Sequence, residues 1–220
     1  MTPRCRGCLG PLAGQGWAGL CARCWAGLVP LPEERCPRCA LPHGGRDGCP
    51  EPVAWDRGDA LWDYRGGRPA LGPLLVPAIK GGELAWQAAL LERAGRASLP
   101  DFAAAADLVC SAPTSFPRRW GRSDLAGAAA AMFAARLGRP YRALLRKPWF
   151  SRPQAGLPEG RRRRLPASAV SPRRGLRLHG EAILLVDDVW TTGTTLLRCA
   201  QALERAGAGA VAVLTLFRAL

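Results

Sequence analysis

From about residue 53 to the C-terminus, short apolar runs alternate with Ala- and Leu-rich stretches whose apolar positions recur every three or four residues. That spacing predicts helices over residues 84–95, 125–137 and 194–205, and Gly138 and Gly207 follow the last two as stop signals. The apolar runs predict strands at 107–111, closed by Pro113, and at 141–145, 183–186 and 210–217. Ile183 to Val186 has no polar position, as a strand covered on both faces requires. Strands alternating with helices around such a centre predict an α/β fold, a parallel sheet with helices on both sides. Residues 1–52 are different. They are rich in Cys, Gly and Pro, lack sustained periodicity, and read as a small domain in front of an α/β domain at 53–220.

The residues in that first segment suggest why it folds without much apolar surface. Cys5 and Cys8, Cys21 and Cys24, and Cys36 and Cys39 form three Cys-x-x-Cys pairs. A tight turn after the first Cys aims two thiolates at one ion, and two such pairs complete the tetrahedral all-sulfur site that Zn2+ prefers. Disulfides are the competing reading, but no feature of the chain indicates secretion. A redox pair would be expected beside a strand-helix unit. The first two pairs make one complete site. The third pair has Cys49 and His43 to finish a second, while an interleaved arrangement of Cys5 and Cys8 with Cys36 and Cys39 is also permitted by spacing alone. Either way the zinc has no open coordination position and is structural. Cys110 and Cys199 lie on apolar elements and read as core residues.

Composition adds a charge asymmetry. Apolar residues are 48% and charged residues 22%, a globular balance. No run approaches the ~20 apolar residues of a membrane helix, and the first ten residues lack a signal-peptide stretch, so the expectation is a cytoplasmic protein without membrane insertion. The net charge is +14. From Arg118 to Arg177 there are 16 basic and 2 acidic residues, and the remainder of the chain nets zero. The chain has no Asn, and Lys only at 80 and 147, so part of the arginine excess reads as genome bias. The clustering does not, and it predicts a surface for polyanions, centred on a polar, proline-bearing flap at about 151–177.

The most informative stretch is Ile183-Leu-Leu-Val-Asp187-Asp188-Val-Trp-Thr191-Thr192-Gly193-Thr194-Thr195. It reads as a buried strand ending in two carboxylates, then a Thr/Gly turn, then a helix start. Ligands of open α/β sheets bind at the carboxyl ends of strands. The turn offers free N–H groups and hydroxyls, and the helix start favours an anion. Paired acids beside a phosphate cradle suit sugar hydroxyls or a nearby Mg2+. A ribose 5-phosphate carrying a further phosphorylated group satisfies every part.

Here the chain resembles the type I phosphoribosyltransferases, which bind 5-phosphoribosyl 1-pyrophosphate (PRPP). The resemblance implies that Asp187 and Asp188 contact the ribose hydroxyls, that Thr191, Thr192, Gly193, Thr194 and Thr195 enclose the 5-phosphate, and that Mg2+ accompanies PRPP. Together with the cysteine region, the whole chain looks like the ComF class of competence proteins, a double zinc ribbon before a phosphoribosyltransferase-like domain. Tyr64-x-Gly66, Lys80-Gly81, Ala112-Pro113 to Arg122 and Gln154 to Arg162 resemble that class's stations in the right order. The chain departs from it at Arg122-Ser123-Asp124, at Leu165, and at Arg46, where a Cys would pair with Cys49.

Phosphoribosyl transfer expels pyrophosphate from ribose C1 through an oxocarbenium-like state, so a catalyst chiefly positions ligands and neutralises charge. Arg118, Arg119 and Arg122, after a strand end, and Lys80, before a Gly-Gly turn, are the pyrophosphate candidates. No residue stands out as a base for the acceptor. A phosphoribosyltransferase, including one of nucleotide salvage, therefore stands beside a non-catalytic PRPP sensor or scaffold. The class resemblance implies single-stranded DNA and other competence proteins as partners, with the basic region, Trp120, Trp149 and Phe150 as the DNA surface.

Overall fold

The computed structural model describes residues 3–12, 18–43, 49, 51, 53–114, 123–147 and 166–220. Its centre is a four-stranded sheet built from β1 (Arg57–Asp63), β2 (Leu108–Ser111), β5 (Ala182–Trp190) and β6 (Ala210–Arg218), in the order β1-β6-β5-β2. Every pairing is parallel. A separate antiparallel ribbon joins β3 (Leu145–Arg146) to β4 (Ser171–Pro172). Among the described residues the α-helices are α1 (Ala22–Ala26), α2 (Leu71–Lys80), α3 (Leu84–Arg96), α4 (Leu125–Leu137) and α5 (Thr194–Arg205). Among the described residues no helix is long and apolar enough to cross a membrane.

Alternation along β5 divides the interior into two cores. Leu184 and Val186 pack on the face covered by α2, α3 and α4. Ile183 and Leu185 pack on the other face, against Leu196, Cys199, Ala200 and Leu203 of α5. Each such side chain contributes about 1.5–3 kcal/mol when removed from water, which is why this strand has no polar position before Asp187. Helix α4 shows how local signals agree with packing. The Asp124 side chain accepts from the Gly127 N–H at its start, and Gly138, at φ +64°, closes it. The α/β architecture with helices on both faces is the one the pattern predicts.

Several parts of the chain differ from the sequence expectation. β5 continues through Trp190 instead of stopping at Val186, because Asp187, Val189 and Trp190 keep pairing with Thr215, Phe217 and Arg218 of β6. Residues 141–145 do not form a sheet strand. Tyr141 makes one bridge to Val109, and only Leu145 and Arg146 pair further, with the flap residues Ser171 and Pro172. Val170 beside them is fully buried, so this end of the predicted flap is anchored in the core. β1 and α2 carried no clear signal, since α2 contains Gly72, Pro73 and Pro77. Its buried positions Leu71, Leu75, Val76 and Ile79 nonetheless keep helical spacing, and Gly72 lets it lie against the Tyr64 carbonyl, 2.3 Å from where a Cβ would stand.

The cysteine region packs into both cores. Cys5, Leu20, Cys24 and Trp25 join the α2–α4 side, and Leu31, Cys36, Cys39 and Ala40 join the α5 side. Pro30 bridges to Trp62, and Arg35 donates to both Asp59 carboxylate oxygens at 2.8 and 2.7 Å. Gly58 of β1 receives the Cys36–Cys39 turn, its N–H donating to the Pro37 carbonyl.

Candidate functional site

Because all four central strands are parallel, their C-terminal ends share one edge. Asp187 and Asp188, the end of β6 at Arg218, Ser111 at the end of β2, and Tyr64 after β1 all gather there. Consecutive strand residues point to opposite faces, so the acid pair is split. Asp188 turns towards α2, is 7% exposed, and pairs with Lys80 at 2.5 Å. Asp187 turns towards α5, where its charge acts on Cys199 and where Lys147 acts on it. One of its carboxylate oxygens accepts from the Asp188 N–H at 2.9 Å.

This placement decides the electrostatics. Burial pushes the Asp187 carboxyl up to about 7, the neighbouring Asp188 carboxylate adds to the rise, and Lys80 and Lys147 pull against it. At neutral pH the group is poised between its acid and its anion. Sugar hydroxyls or a cation would favour the anion, so the residue fits a ligand of either kind. The Tyr64 phenol is raised by burial, with Lys80 opposing and Asp188 assisting, which places it beside the same ion pair. Burial drives the Cys110 and Cys199 thiols up strongly, as expected of core residues.

The turn after β5 has the form the motif predicts. Thr191 and Thr192 are exposed, and Gly193 to Thr195 are half-buried. Gly193 sits at φ +68°, and a Cβ there would stand 2.9 Å from the Trp190 Nε1. Glycine is needed for conformation and for space together. The Thr192 and Thr194 hydroxyls lie 2.9 Å apart. The Leu197 N–H donates to the Gly193 carbonyl, so the N–H groups of Thr194, Thr195 and Leu196 precede the first intrahelical bond of α5 and carry its positive end.

The remaining candidates divide. Lys80 is at the edge, held on Asp188. Arg118, Arg119 and Arg122 lie outside the described residues, as do Arg46, Trp120, Trp149, Phe150, 154–162 and Leu165. Of the described residues that flank them, Thr114, shortly after β2, donates its hydroxyl to Asp124 at 2.7 Å. Two residues at the edge carried no assigned role in the sequence reading. Lys147 had one available signal, its rarity as a lysine in an arginine-rich chain. Arg218 had none, since it simply ends an apolar strand. A cavity of about 820 Å³ lies elsewhere, between the cysteine region and α3. Arg35, Asp59, Glu92 and Arg96 in its wall are paired with one another, none of the acid-and-turn residues lines it, and the chemistry points to the sheet edge instead.

The cysteines form two clusters, each drawn from neighbours in sequence and not interleaved. Cys5, Cys8, Cys21 and Cys24 bring their sulfurs within 4.8 Å of one another, and Cys36, Cys39, His43 and Cys49 do the same with their donor atoms. Sulfur separations of 3.6 Å for Cys5 and Cys24 and 3.8 Å for Cys8 and Cys21 match the ~3.8 Å between tetrahedral ligands at zinc–sulfur length. His43 Nε2 lies 3.0 Å from Cys39 Sγ. Burial raises the Cys5 thiol, but backbone N–H donors from Cys8, Cys21 and Gly7 outweigh it and bring it to about 6, favouring the thiolate a metal needs. Both clusters could hold zinc.

No family model matches the chain, and no curated protein does. Solved structures of phosphoribosyltransferases do. Glutamine phosphoribosylpyrophosphate (PRPP) amidotransferase from B. subtilis, complexed with ADP and GMP, is 25% identical over 57% of this chain and 25% of its own, at a TM-score of 0.38. Orotate phosphoribosyltransferase from Aeropyrum pernix is 22% identical over 63% of each chain, at 0.35. Adenine phosphoribosyltransferase from Trypanosoma brucei, in complex with AMP, pyrophosphate and ribose-5-phosphate, is 19% identical over 64% of this chain and 55% of its own, at 0.35. The chain spans about a quarter of the length of the first and less than two thirds of the other two.

Proposed function

We propose that this chain binds PRPP at the C-terminal edge of its sheet and is a phosphoribosyltransferase-like protein of the ComF class. The observation that carries the reading is the joining of an acid pair on β5 to a glycine turn that opens α5, on the edge where parallel strands end. In this reading Asp187 and Asp188 accept hydrogen bonds from the ribose hydroxyls. Thr191, Thr192, Gly193, Thr194 and Thr195 wrap the 5-phosphate, and Lys80, Arg118, Arg119 and Arg122 serve the pyrophosphate. Lys80 already faces an anion at this edge, which supports its part. Mg2+ suits an acid that burial and a like-charged neighbour keep part-protonated; bound with PRPP, it supplies neutralisation of the leaving pyrophosphate.

If transfer occurs, the bond from ribose C1 to the pyrophosphate oxygen breaks as the acceptor's bond to C1 forms, and pyrophosphate leaves with the electron pair. The chain's own part is to hold both ends of the substrate and shield the site. Residues 1–52 act as a zinc-ribbon unit whose metals are structural, and 53–220 as the PRPP unit with a basic flap at 151–177. The clustered charge supports a further role with single-stranded DNA, which the class resemblance extends to uptake during competence alongside other competence proteins.

Calorimetric titration with PRPP and Mg2+ tests the reading. The natural chain should give one saturable site that the Asp187→Asn/Asp188→Asn double variant loses, and a folded natural chain giving no heat would refute it. Release of pyrophosphate with some acceptor base separates an enzyme from a sensor. DNA affinity should fall steeply with salt and on neutralising Arg161 to Arg164; salt-independent binding would remove that role.

A further inference from the structure

Arg218 ends β6 with 1% of its surface exposed, and a guanidinium so buried persists only when its N–H donors are satisfied. Nε donates to the Cys39 carbonyl at 3.0 Å. Nη1 donates to the carbonyls of Trp190 at 3.1 Å, Thr191 at 2.5 Å and Ala219 at 3.1 Å. Nη2 donates to Glu51 Oε1 at 2.8 Å. Four of these five acceptors fall into two groups. Trp190 and Thr191 form the root of the glycine turn. Cys39 and Glu51 belong to the two segments that bring the second cluster together, Cys36 to His43 and Cys49 to Glu51.

A second link runs in parallel. The Arg218 guanidinium lies 4.6 Å over the Trp190 ring, and Trp190 meets Trp55 edge to face at 5.2 Å. Trp55 Nε1 donates to the Arg38 carbonyl at 2.7 Å, inside the Cys36–Cys39 turn. The Trp190 indole also occupies the space beside Gly193. The turn that opens α5 is therefore fastened from below to the backbone that brings Cys36, Cys39, His43 and Cys49 together, and a short Cys-, Gly- and Pro-rich segment that binds an ion holds its form through it.

We propose that Arg218 is a positioning residue through which a metal at Cys36, Cys39, His43 and Cys49 sets the shape of the 191–195 turn, and with it the affinity for a phosphorylated ligand. The affinity half of this statement rests on the phosphate reading above, and the coupling half does not. With the metal in place, the carbonyls of Cys39, Trp190 and Thr191 hold one guanidinium and the turn is ordered before ligand arrives. Without it, the turn must be ordered at the moment of binding, at the expense of affinity.

The test uses the full chain with Arg218→Lys, Arg218→Met and His43→Ala, reading bound zinc, amide exchange at 191–195 against that at 183–186, and PRPP affinity. His43→Ala should lose one zinc. It should speed exchange at 191–195 about tenfold while leaving 183–186 protected, and should weaken PRPP binding at least tenfold. Arg218→Lys keeps a charge for Glu51 but cannot span the carbonyls, so it should retain both zincs and show the same loosened turn. Arg218→Met should do the same more strongly; if it does not fold, the His43→Ala comparison still decides. The proposal is overturned if the natural chain carries no metal at the second cluster, or if losing that metal or the guanidinium leaves turn exchange unchanged. Loosened turns in a chain that never binds PRPP would uphold the coupling and remove the phosphate reading. PRPP binding with an indifferent turn would do the reverse.

Discussion

Replacing Asp187 by Asn should make the ligand-free protein more stable while destroying its binding site. Burial raises this carboxyl from the ordinary aspartate value of 3.8 to about 7, so between those values the folded chain holds a proton that the unfolded chain has released. Stability from this group is therefore greatest below 3.8, falls as pH rises towards 7, and is level above. The full climb corresponds to about 4 kcal/mol at ~1.4 kcal/mol per pH unit. Asp187 is only half-buried, and solvent screening leaves ~2 kcal/mol. Asn mimics the protonated acid without its charge. Urea unfolding of Asp187→Asn against the natural chain should show a gain near zero at pH 4, opening through pH 5 and 6, and steady at about 2 kcal/mol above pH 7. A midpoint rise of roughly 4–8 °C at pH 8 is the thermal equivalent. PRPP binding to the natural chain should strengthen as pH rises through 7, whereas the variant should bind too weakly at any pH to show a slope. A loss of stability at pH 8, or a gain of equal size at pH 4 and pH 8, would refute the account of Asp187 as an acid held at the fold's expense.

Gly193→Ala should weaken PRPP binding at least tenfold and cost about 1 kcal/mol or more in denaturant unfolding, because a side chain at φ +68° meets the Trp190 indole; unchanged affinity would count against the turn as the phosphate site. Lys80→Met should cost roughly 1–2 kcal/mol by leaving the buried Asp188 carboxylate without its partner at 2.5 Å, and a neutral effect would show that solvent screens the pair. Metal analysis should find two zincs per folded chain, and strong chelators should lower the unfolding midpoint sharply; one zinc would assign His43 and Cys49 no ligand role.

Local features were legible where the chain itself enforces the geometry. The bounds of α4 follow from Asp124 and Gly138, which stand next to the helix they cap, and the three Cys-x-x-Cys pairs need only a short turn to converge. The extension of β5 was not legible, since two aspartates are poor strand residues and signal a strand's end. Pairing with Thr215, Phe217 and Arg218 of β6 overrides that preference, and it sends the two carboxylates to opposite faces. Helix α2 was hidden by its prolines and glycine, whose unfavourable intrinsic preference is outweighed by burial of Leu71, Leu75, Val76 and Ile79.

The sequence by itself therefore determined the acid pair, the glycine turn and the helix start as one contiguous unit, because covalent linkage holds neighbours at known spacing whatever the rest of the chain does. It also determined which residue types could ligate metal. Only the tertiary structure decided that Lys80 lies on Asp188, that the charge of Lys147 acts on Asp187, and that Arg218 joins the second cysteine cluster to the turn. Those contacts link residues far apart along the chain, and they depend on strand order and helix placement, which the free energy of packing two cores selects and no local pattern encodes.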